Sequence, residues 1–306
     1  MRKIKPDRIA TATLGPVSVL NSSVDASTNF LFPYGKGTLE ARYVNRNGKV
    51  IAYLSSHSGC KMGCKFCFLT NQNQLWFDHT TVEAYREQLT EVLHHALVEK
   101  KINLYKLPKL NINFMARGEA LANKYVINNY RDLVNGLDMV ANMYCIDNIK
   151  MNISTIMPHT IKDHDLNKVF GIDNPPHLYY SLYSLDEKFR KHWMPNAIPV
   201  RDALDKLKSY ENSSHPITFH YALIKDHNDS LESASEIVKV LREYKFVGKF
   251  NLVRYNPHPN SGSVEADEDR LNEVFNIISE GLGNPRSYIV PRVGKDVYAS
   301  CGMFAQ

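Results

Sequence analysis

Three cysteines within eight residues are the feature of this sequence that most clearly points to chemistry. Cys60, Cys64 and Cys67 are separated by three and then by two residues, in the stretch SGCKMGCKFC. Thiolates at this spacing can bind three irons of a [4Fe–4S] cluster and leave the fourth iron open to another ligand. The alternative is zinc on three cysteines and a histidine such as His57, although structural zinc sites usually pair two C-x2-C turns, and the sequence has no second one.

The remaining two cysteines, Cys145 and Cys301, lie far from this motif in the sequence. Either could in principle supply a fourth ligand. An odd total of five, with three packed together, is not how a disulfide framework is laid out. The cysteine pattern therefore predicts a protein of the reducing cytosol.

From about residue 50 onward, short β-rich runs alternate with amphipathic helical runs. The predicted strands are 50–55, 110–115, 149–154, 177–182, 217–224, 249–255 and 287–292. The predicted helices are 81–100, 123–142, 159–169, 201–210, 230–244 and 266–281. This alternation implies an α/β fold with a parallel sheet, either open or closed into a full or partial barrel. Chemistry in such sheets collects where strands end, and the cysteine motif follows the first of these strands.

The first 48 residues have a different pattern. Phe30, Leu31 and the stretch 38–44 alternate like strands, with Gly35 and Gly37 as turn residues. This pattern predicts a small antiparallel β extension. We therefore expect two parts, an N-terminal extension over 1–48 and a barrel over 49–306.

The overall composition is that of an ordinary globular protein. Of the 306 residues, 43% are hydrophobic and 23% are charged, which excludes collagen, coiled coil and general disorder. No apolar run reaches the ~20 residues that span a bilayer, and no apolar segment follows the basic residues at the start. We expect a cytoplasmic protein without a membrane partner. The net charge of +5 permits an anionic partner without requiring one.

The cysteine motif resembles the C-x3-C-x-aromatic-C motif of the radical S-adenosylmethionine superfamily. In this sequence Phe66 stands at the aromatic position. The resemblance implies a partial parallel (β/α)6-type barrel. It also implies that S-adenosylmethionine binds the open iron of a [4Fe–4S] cluster and is cleaved to a 5′-deoxyadenosyl radical, chemistry that belongs to the cofactor. An electron donor such as a flavodoxin or ferredoxin is then required.

Later segments resemble the RlmN/Cfr group of RNA methyltransferases, which act on adenine C2 or C8 of ribosomal RNA and, for some members, transfer RNA. Residues 114–123, FMARGEALAN, resemble FMGMGEPLLN, and residues 255–259, YNPHP, resemble WNPFP. Between them, NIST, SLY and YALIKDHND resemble TLSTSG, SLHAPND and YVMLDHVND. The order and spacing hold from about residue 28 to the end.

The resemblance assigns binding of S-adenosylmethionine to residues in these segments. Gly118 and Glu119 would bind the amino end of its methionine portion. The residues implied to hold the carboxylate, ribose and adenine are Ser154, Ser181, Leu182, Tyr183 and Asn256. Because the group has His where this sequence has Tyr183, the contact there is expected to come from the backbone.

The resemblance also implies two catalytic residues. Cys301 would take a methyl group from S-adenosylmethionine by displacement. A deoxyadenosyl radical from a second S-adenosylmethionine would then remove a hydrogen from that methyl, and the resulting carbon radical would add to adenine C2. Glu40, in TLEAR, would be the general base that removes the ring proton.

The sequence departs from the group at several positions. Tyr53 stands where the group has a second cysteine that resolves the thioether by forming a disulfide, and Ala120 replaces the Pro of GEP. We also expect no accessory RNA-binding domain ahead of Glu40. The favoured prediction is an RNA methyltransferase acting on adenosine, most readily at C2, of ribosomal or transfer RNA. Two alternatives stay open: a radical enzyme with a different target, and a non-catalytic RNA-binding iron–sulfur protein.

Overall fold

A computed structural model describes residues 15–46, 48–171, 173–212 and 214–305. The strands are β1 (Ser18–Asn21), β2 (Thr28–Tyr34), β3 (Gly37–Arg46), β4 (Lys49–Tyr53), β5 (Leu110–Phe114), β6 (Ile149–Thr155), β7 (His177–Ser181), β8 (Thr218–Tyr221), β9 (Phe250–Val253) and β10 (Tyr288–Val290). The α-helices are α1 (Phe68–Asn71), α2 (Val82–Val98), α3 (Lys124–Asn128), α4 (Tyr130–Met143), α5 (Leu166–Phe170), α6 (Glu187–Trp193), α7 (Val200–Tyr210), α8 (Leu231–Glu243) and α9 (Glu268–Leu282). Among the described residues, no helix is both long enough and apolar enough to cross a membrane.

The described residues divide into two compact units. The first contains residues 15–59, 76–152 and 293–299, and the second contains 60–75, 153–292 and 300–305. The sequence-based division at residue 48 is a different one and stays a prediction. The first 14 residues of the predicted extension lie outside the described residues.

In the first unit, strands β1 to β6 lie side by side in sequence order. Strands β1 to β4 pair antiparallel, and β5 then pairs parallel to β4. The β2–β3 turn places Gly35 at φ +55°, a left-handed conformation that glycine adopts without steric cost. Helix α2 packs on β3, β4 and α4, and its buried residues include Leu89, Val92 and Leu93. The predicted antiparallel extension is thus confirmed.

In the second unit, the end of β6 is followed by β7 to β10, again in sequence order. Strands β7 to β10 are all parallel. Ser181, His220 and Asn251 lie side by side on β7, β8 and β9, so their side chains point to the same face of the sheet. Neither row of strands closes on itself.

The predicted fold class is confirmed as mixed α/β with parallel strands. The helix predicted over 123–142 is instead two helices, because Asn129 leaves the helical conformation between α3 and α4. The helix predicted over 159–169 is reduced to a 3-10 turn (His159–Ile161) and the short α5. The sequence analysis missed β1, α1 and α6, which are too short to show a clear hydrophobic period.

Candidate active site

The loop that carries the three cysteines belongs to the second unit and leads directly into α1. Cys67 is the N-cap residue of this helix, and its amide donates to the carbonyl of Cys64 at 3.0 Å. At the start of the loop, the Cys60 amide donates to the Gln74 carbonyl at 3.0 Å. Gly63 has φ +67°, which allows the tight turn between the first two cysteines. Local backbone geometry thus gathers the motif into one loop.

Asparagine side chains hold the outer carbonyls of this loop. The Asn71 amide donates to the carbonyls of Lys65 and Cys67, both at 2.9 Å. The Asn196 amide donates to the carbonyls of Lys61 and Met62 at 3.3 and 3.1 Å. Because its carbonyls are held by these side chains, the loop has a defined shape although it is not regular secondary structure.

The thiol groups fit the chemistry of an iron–sulfur cluster. None of the three cysteines forms a disulfide; Cys64 is buried, whereas Cys60 and Cys67 are half-buried. In a [4Fe–4S] cluster each thiolate binds a different iron, so the sulfur atoms do not converge on one ion. No three His, Cys, Asp or Glu side chains within the described ranges surround a single metal position.

A zinc site on the three cysteines would need a fourth ligand such as His57. In the first unit, the His57 ring stacks on Phe77 at 4.0 Å, and its Nε2 lies 3.2 Å from Nδ1 of His79. Burial, together with the nearby His79, lowers the pKa of His57 to about 3. The His57 ring therefore packs as a neutral group.

The segment around Cys301 packs against the cysteine loop within the second unit. The Phe68 amide, one residue after Cys67, donates to the Gly302 carbonyl at 3.0 Å. Met303 and Phe304 form a buried apolar cluster with Phe68 and Leu69, and Cys60 and Cys67 pack against this cluster. Cys301 itself is exposed. Residues more than 230 positions apart in the sequence thus place the segment that contains Cys301 against the cysteine loop.

Asn256 holds the same segment from the other side. Its Nδ2 donates to the Cys301 carbonyl at 2.9 Å and to the Ser300 hydroxyl at 3.0 Å. Its Oδ1 accepts from Nε of Arg292 at 2.9 Å, and Arg292 is in turn paired with Glu265 at 2.5 Å. The side chain implied to contact S-adenosylmethionine therefore also fixes the position of Cys301. Nothing in the sequence pattern indicates this second role of Asn256.

Tyr183 and Phe66 form a stacked aromatic pair, with ring centroids 4.6 Å apart and planes inclined by 5°. Tyr183 has φ +54°, and its carbonyl accepts from the Asn228 amide at 2.7 Å. Burial raises the pKa of Tyr183 well above its ordinary value, and the charges of Cys301, Cys64 and other nearby acidic groups raise it further. The phenol therefore stays protonated at neutral pH, close to the thiols.

The remaining candidates of the second unit lie on β6 and at the end of β7. Ser154 and Ser181 are half-buried strand residues. Leu182 is fully buried; its amide donates to the His220 carbonyl at 3.0 Å, and its carbonyl accepts from Nη1 of Arg190 at 2.6 Å. Leu182 therefore offers apolar contact, whereas the two serines offer hydroxyl groups.

Gly118 and Glu119 follow β5 in the first unit. Gly118 has φ +91°, and a Cβ at this position would lie 2.6 Å from Nδ1 and 2.8 Å from the backbone nitrogen of His57. Only glycine fits such a contact. Glu119 is buried, and its Oε1 accepts from the Leu121 amide at 3.1 Å at the start of a 3-10 turn.

Glu40, on β3 of the first unit, lies in a fully buried cluster of charges. Its Oε2 accepts from Arg42 Nη2 at 2.7 Å and from Asn29 Nδ2 at 3.2 Å. Its Oε1 accepts from Arg117 Nε at 2.9 Å and lies 2.8 Å from Arg117 Nη2. The role of Glu40 as a base stays a prediction. The two arginines are residues that sequence analysis missed, although Arg117 directly precedes Gly118.

Comparison with solved structures identifies the fold. No protein-family model matches the chain. A crystal structure of a radical SAM methyltransferase from Sphaerobacter thermophilus is similar over 95% of this chain and 80% of that one, with a TM-score of 0.80 and 21% sequence identity. The fold is therefore that of a radical S-adenosylmethionine methyltransferase.

The sequence relatives are more specific. A dual-specificity RNA methyltransferase RlmN of Bdellovibrio bacteriovorus is 27% identical over 94% of this chain and 68% of the relative. A probable dual-specificity RNA methyltransferase RlmN of Bacteroides thetaiotaomicron is 27% identical over 92% of this chain and 76% of the relative. The chain is a homologue of these RlmN enzymes, as the motifs predicted. The roles of its individual residues stay predictions.

The contacts of Asn256 generate a first prediction. Replacing Asn256 by Ala removes the donors to Cys301 and Ser300, so the segment 300–305 should open more often. Hydrogen–deuterium exchange of that segment should then accelerate roughly tenfold or more. Asn284→Ala, which removes an amide that donates to the Val247 and Gly248 carbonyls in the same unit, should leave exchange in 300–305 unchanged. Equal exchange in the wild type and the Asn256 variant would contradict the assignment.

Proposed function

We propose that the protein is a radical S-adenosylmethionine RNA methyltransferase that methylates an adenosine, at C2, in ribosomal or transfer RNA by way of Cys301. It would act in the cytoplasm and take electrons from a flavodoxin or ferredoxin. The observation that carries the proposal is the packing of the Cys301 segment on the loop of Cys60, Cys64 and Cys67. The sequence relationship to enzymes named RNA methyltransferases supports the class of substrate.

The position of Cys301 suits a methyl carrier. A nucleophile gains most when it is held close to the atom that it attacks. The Asn256 amide and the Phe68 amide hold the carbonyls of Cys301 and Gly302, while the side chain of Cys301 stays exposed. The backbone is thus fixed, and the thiol remains accessible to a substrate.

Each residue has a defined task in the proposed reaction. A cluster held by Cys60, Cys64 and Cys67 would supply the electron that cleaves S-adenosylmethionine. The carboxylate of Glu119 would bind the ammonium group of that cofactor, because a charge-assisted hydrogen bond is stronger than a neutral one. The hydroxyls of Ser154 and Ser181 can donate to its carboxylate or ribose oxygens.

Cys301 would first act as a nucleophile. Its thiolate attacks the methyl carbon of S-adenosylmethionine, a sulfur–carbon bond forms, and the bond from that carbon to the sulfonium breaks. S-adenosylhomocysteine leaves, and Cys301 becomes S-methylcysteine. The thiol proton must first be lost, since the thiolate is the nucleophilic form of cysteine.

The cluster ligands are tested by substitution. After anaerobic reconstitution the wild type should contain about four irons and four sulfides. Cys60→Ala, Cys64→Ala and Cys67→Ala should each lose the cluster absorbance, because three thiolates are the minimum set. Cys301→Ala is the matched control and should keep its iron. Stoichiometric zinc in place of iron, or equal loss of iron from the Cys301 variant, would overturn the assignment.

The role of Glu119 is tested by Glu119→Gln. The substitution replaces a charge-assisted contact by a neutral one and should weaken binding of S-adenosylmethionine by on the order of 1–2 kcal/mol. Equilibrium dialysis with the iron-loaded protein measures this change, and the iron content should not alter. Glu99→Gln, at an exposed position after α2, is the control. An unchanged affinity in the Glu119 variant would show that the ammonium binds elsewhere.

The methyl-carrier role of Cys301 is tested by mass spectrometry of the peptide that contains it. Wild-type protein treated with S-adenosylmethionine should gain one methyl group on Cys301, and Cys301→Ala should produce neither this peptide nor methylated adenosine in RNA. Because Tyr53 cannot form the disulfide that releases the product, we expect a covalent protein–RNA species in the wild type that needs an external thiol for release. Methylated RNA formed at the wild-type rate by Cys301→Ala would refute the assignment.

A further inference from the structure

The first unit contains a triad of buried charges, Arg42–Glu40–Arg117. The side chains of Glu40, Arg42 and Arg117 are 0, 3 and 1% exposed. Arg117 presents both Nε and Nη2 to one oxygen of Glu40, and Arg42 donates from Nη2 to the other oxygen. Burying charges costs several kcal/mol per ion unless they are paired and hydrogen-bonded. The three charged side chains can therefore be buried only because they are paired with one another.

The side chain of Arg117 contacts Glu40 on β3, and hydrogen bonds through Ser55 also connect the backbone of Arg117 to Glu40. The Arg117 amide donates to the hydroxyl of Ser55 at 3.1 Å. That hydroxyl donates to the Glu40 carbonyl at 2.6 Å and accepts from the Glu40 amide at 2.8 Å. The Arg117 carbonyl accepts from the Ser56 amide at 2.7 Å. The main chain of Arg117 is thus linked to Glu40 through Ser55, and its side chain contacts Glu40 directly.

The next two residues after Arg117 are Gly118 and Glu119. Gly118 fits so closely against His57 that there is no room for a Cβ, so a small displacement of the turn would produce a clash or open a gap. Glu119 follows in the same turn and is oriented by the Leu121 amide. The position of the Glu119 carboxylate therefore depends on where Arg117 is held.

The sequence supports a role particular to this chain. In the motif FMGMGEPLLN that residues 114–123 resemble, the position of Arg117 holds Met. A Met at this position could not pair with Glu40. The carboxylate of Glu40, in turn, accepts from two guanidinium groups and the Asn29 amide, and these contacts hold the carboxylate in place.

From these contacts we infer that Glu40 and Arg117 form a positioning pair that holds the Gly118–Glu119 turn in the geometry that binds the ammonium group of S-adenosylmethionine. The inference rests on the proposed function, since it assumes that Glu119 binds that group. It gives Glu40 a task that is carried out through Arg117, without proton transfer.

The test compares the two arginines of the triad. Arg117→Met and Arg42→Met each remove one guanidinium from the same buried carboxylate, but only Arg117 continues into the Gly118–Glu119 turn. Binding of S-adenosylmethionine to the iron-loaded proteins is measured by equilibrium dialysis at a temperature at which circular dichroism shows both variants folded. We expect Arg117→Met to weaken binding about tenfold or more relative to Arg42→Met.

A second pair of variants covers the case in which the Met variants do not fold. Arg117→Lys and Arg42→Lys keep the charge, but lysine is a point charge without the planar fork of arginine. Arg117 contacts Glu40 through both Nε and Nη2, and its backbone continues into the Gly118–Glu119 turn. Arg117→Lys should therefore weaken binding more than Arg42→Lys, while both proteins keep their iron.

The possible outcomes separate this inference from the proposed function. If the wild type itself does not bind S-adenosylmethionine, the proposed function fails. If the wild type binds it and both arginine variants lose affinity equally, or neither does, only the positioning role is overturned. Glu40→Gln distinguishes a positioning role of Glu40 from a role as a base. If this variant binds S-adenosylmethionine and methylates Cys301 as the wild type does, yet leaves RNA unmethylated, Glu40 acts as a base and the inference is overturned.

Discussion

Buried backbone groups in loops need hydrogen-bond partners, and in this protein asparagine side chains supply many of them. An amide can donate two hydrogen bonds and accept two, so a single asparagine can join two chain segments that share no regular pairing. Asn228, for example, donates to the carbonyls of Tyr183 and Ala222 and accepts from the Ile224 amide. The side chains that act in this way are Asn71, Asn123, Asn196, Asn228 and Asn256. Loops that carry the candidate residues thereby obtain fixed positions without becoming helix or strand.

Charge is handled differently in the two units. In the first, the buried carboxylate of Glu40 is compensated by two arginines, because an unpaired buried charge would be costly. In the second, the aromatic pair beside the cysteine loop is neutral, because the pKa of Tyr183 is raised well above its ordinary value and its partner Phe66 has no charge. Glu40 is thus buried as a paired group, whereas Tyr183 is buried as a neutral one.

The sequence predicts elements that have a strong hydrophobic period and sites whose residues are close together in the chain. The parallel strands, α2 and the cysteine loop could be predicted for this reason. The roles of Arg117 and Arg292 could not, because they depend on residues that are distant in the chain. Arg117 pairs with a residue 77 positions away and Arg292 with one 36 positions away, and no spacing rule reports such contacts. The break at Asn129 is similar, since the continuous apolar period of 123–142 conceals it. The resemblance to known motifs identified Asn256 as important, but only the tertiary contacts connect it to Cys301.

The aromatic pair of Phe66 and Tyr183 explains how a tyrosine can stand where related sequences have histidine. At φ +54° a tyrosine is under strain of about 1–3 kcal/mol, which persists only where surrounding contacts determine the conformation. Here stacking on Phe66 fixes the ring, and the Asn228 amide fixes the carbonyl. An offset aromatic pair contributes about 0.5–1.5 kcal/mol beyond its burial, which is of the same order as the strain. Because Phe66 lies between Cys64 and Cys67, the strained tyrosine and the cysteine loop stabilise each other. Because its pKa is raised well above the ordinary value, the phenol of Tyr183 is neutral, and the substitution therefore places an uncharged aromatic side chain beside the cysteine loop.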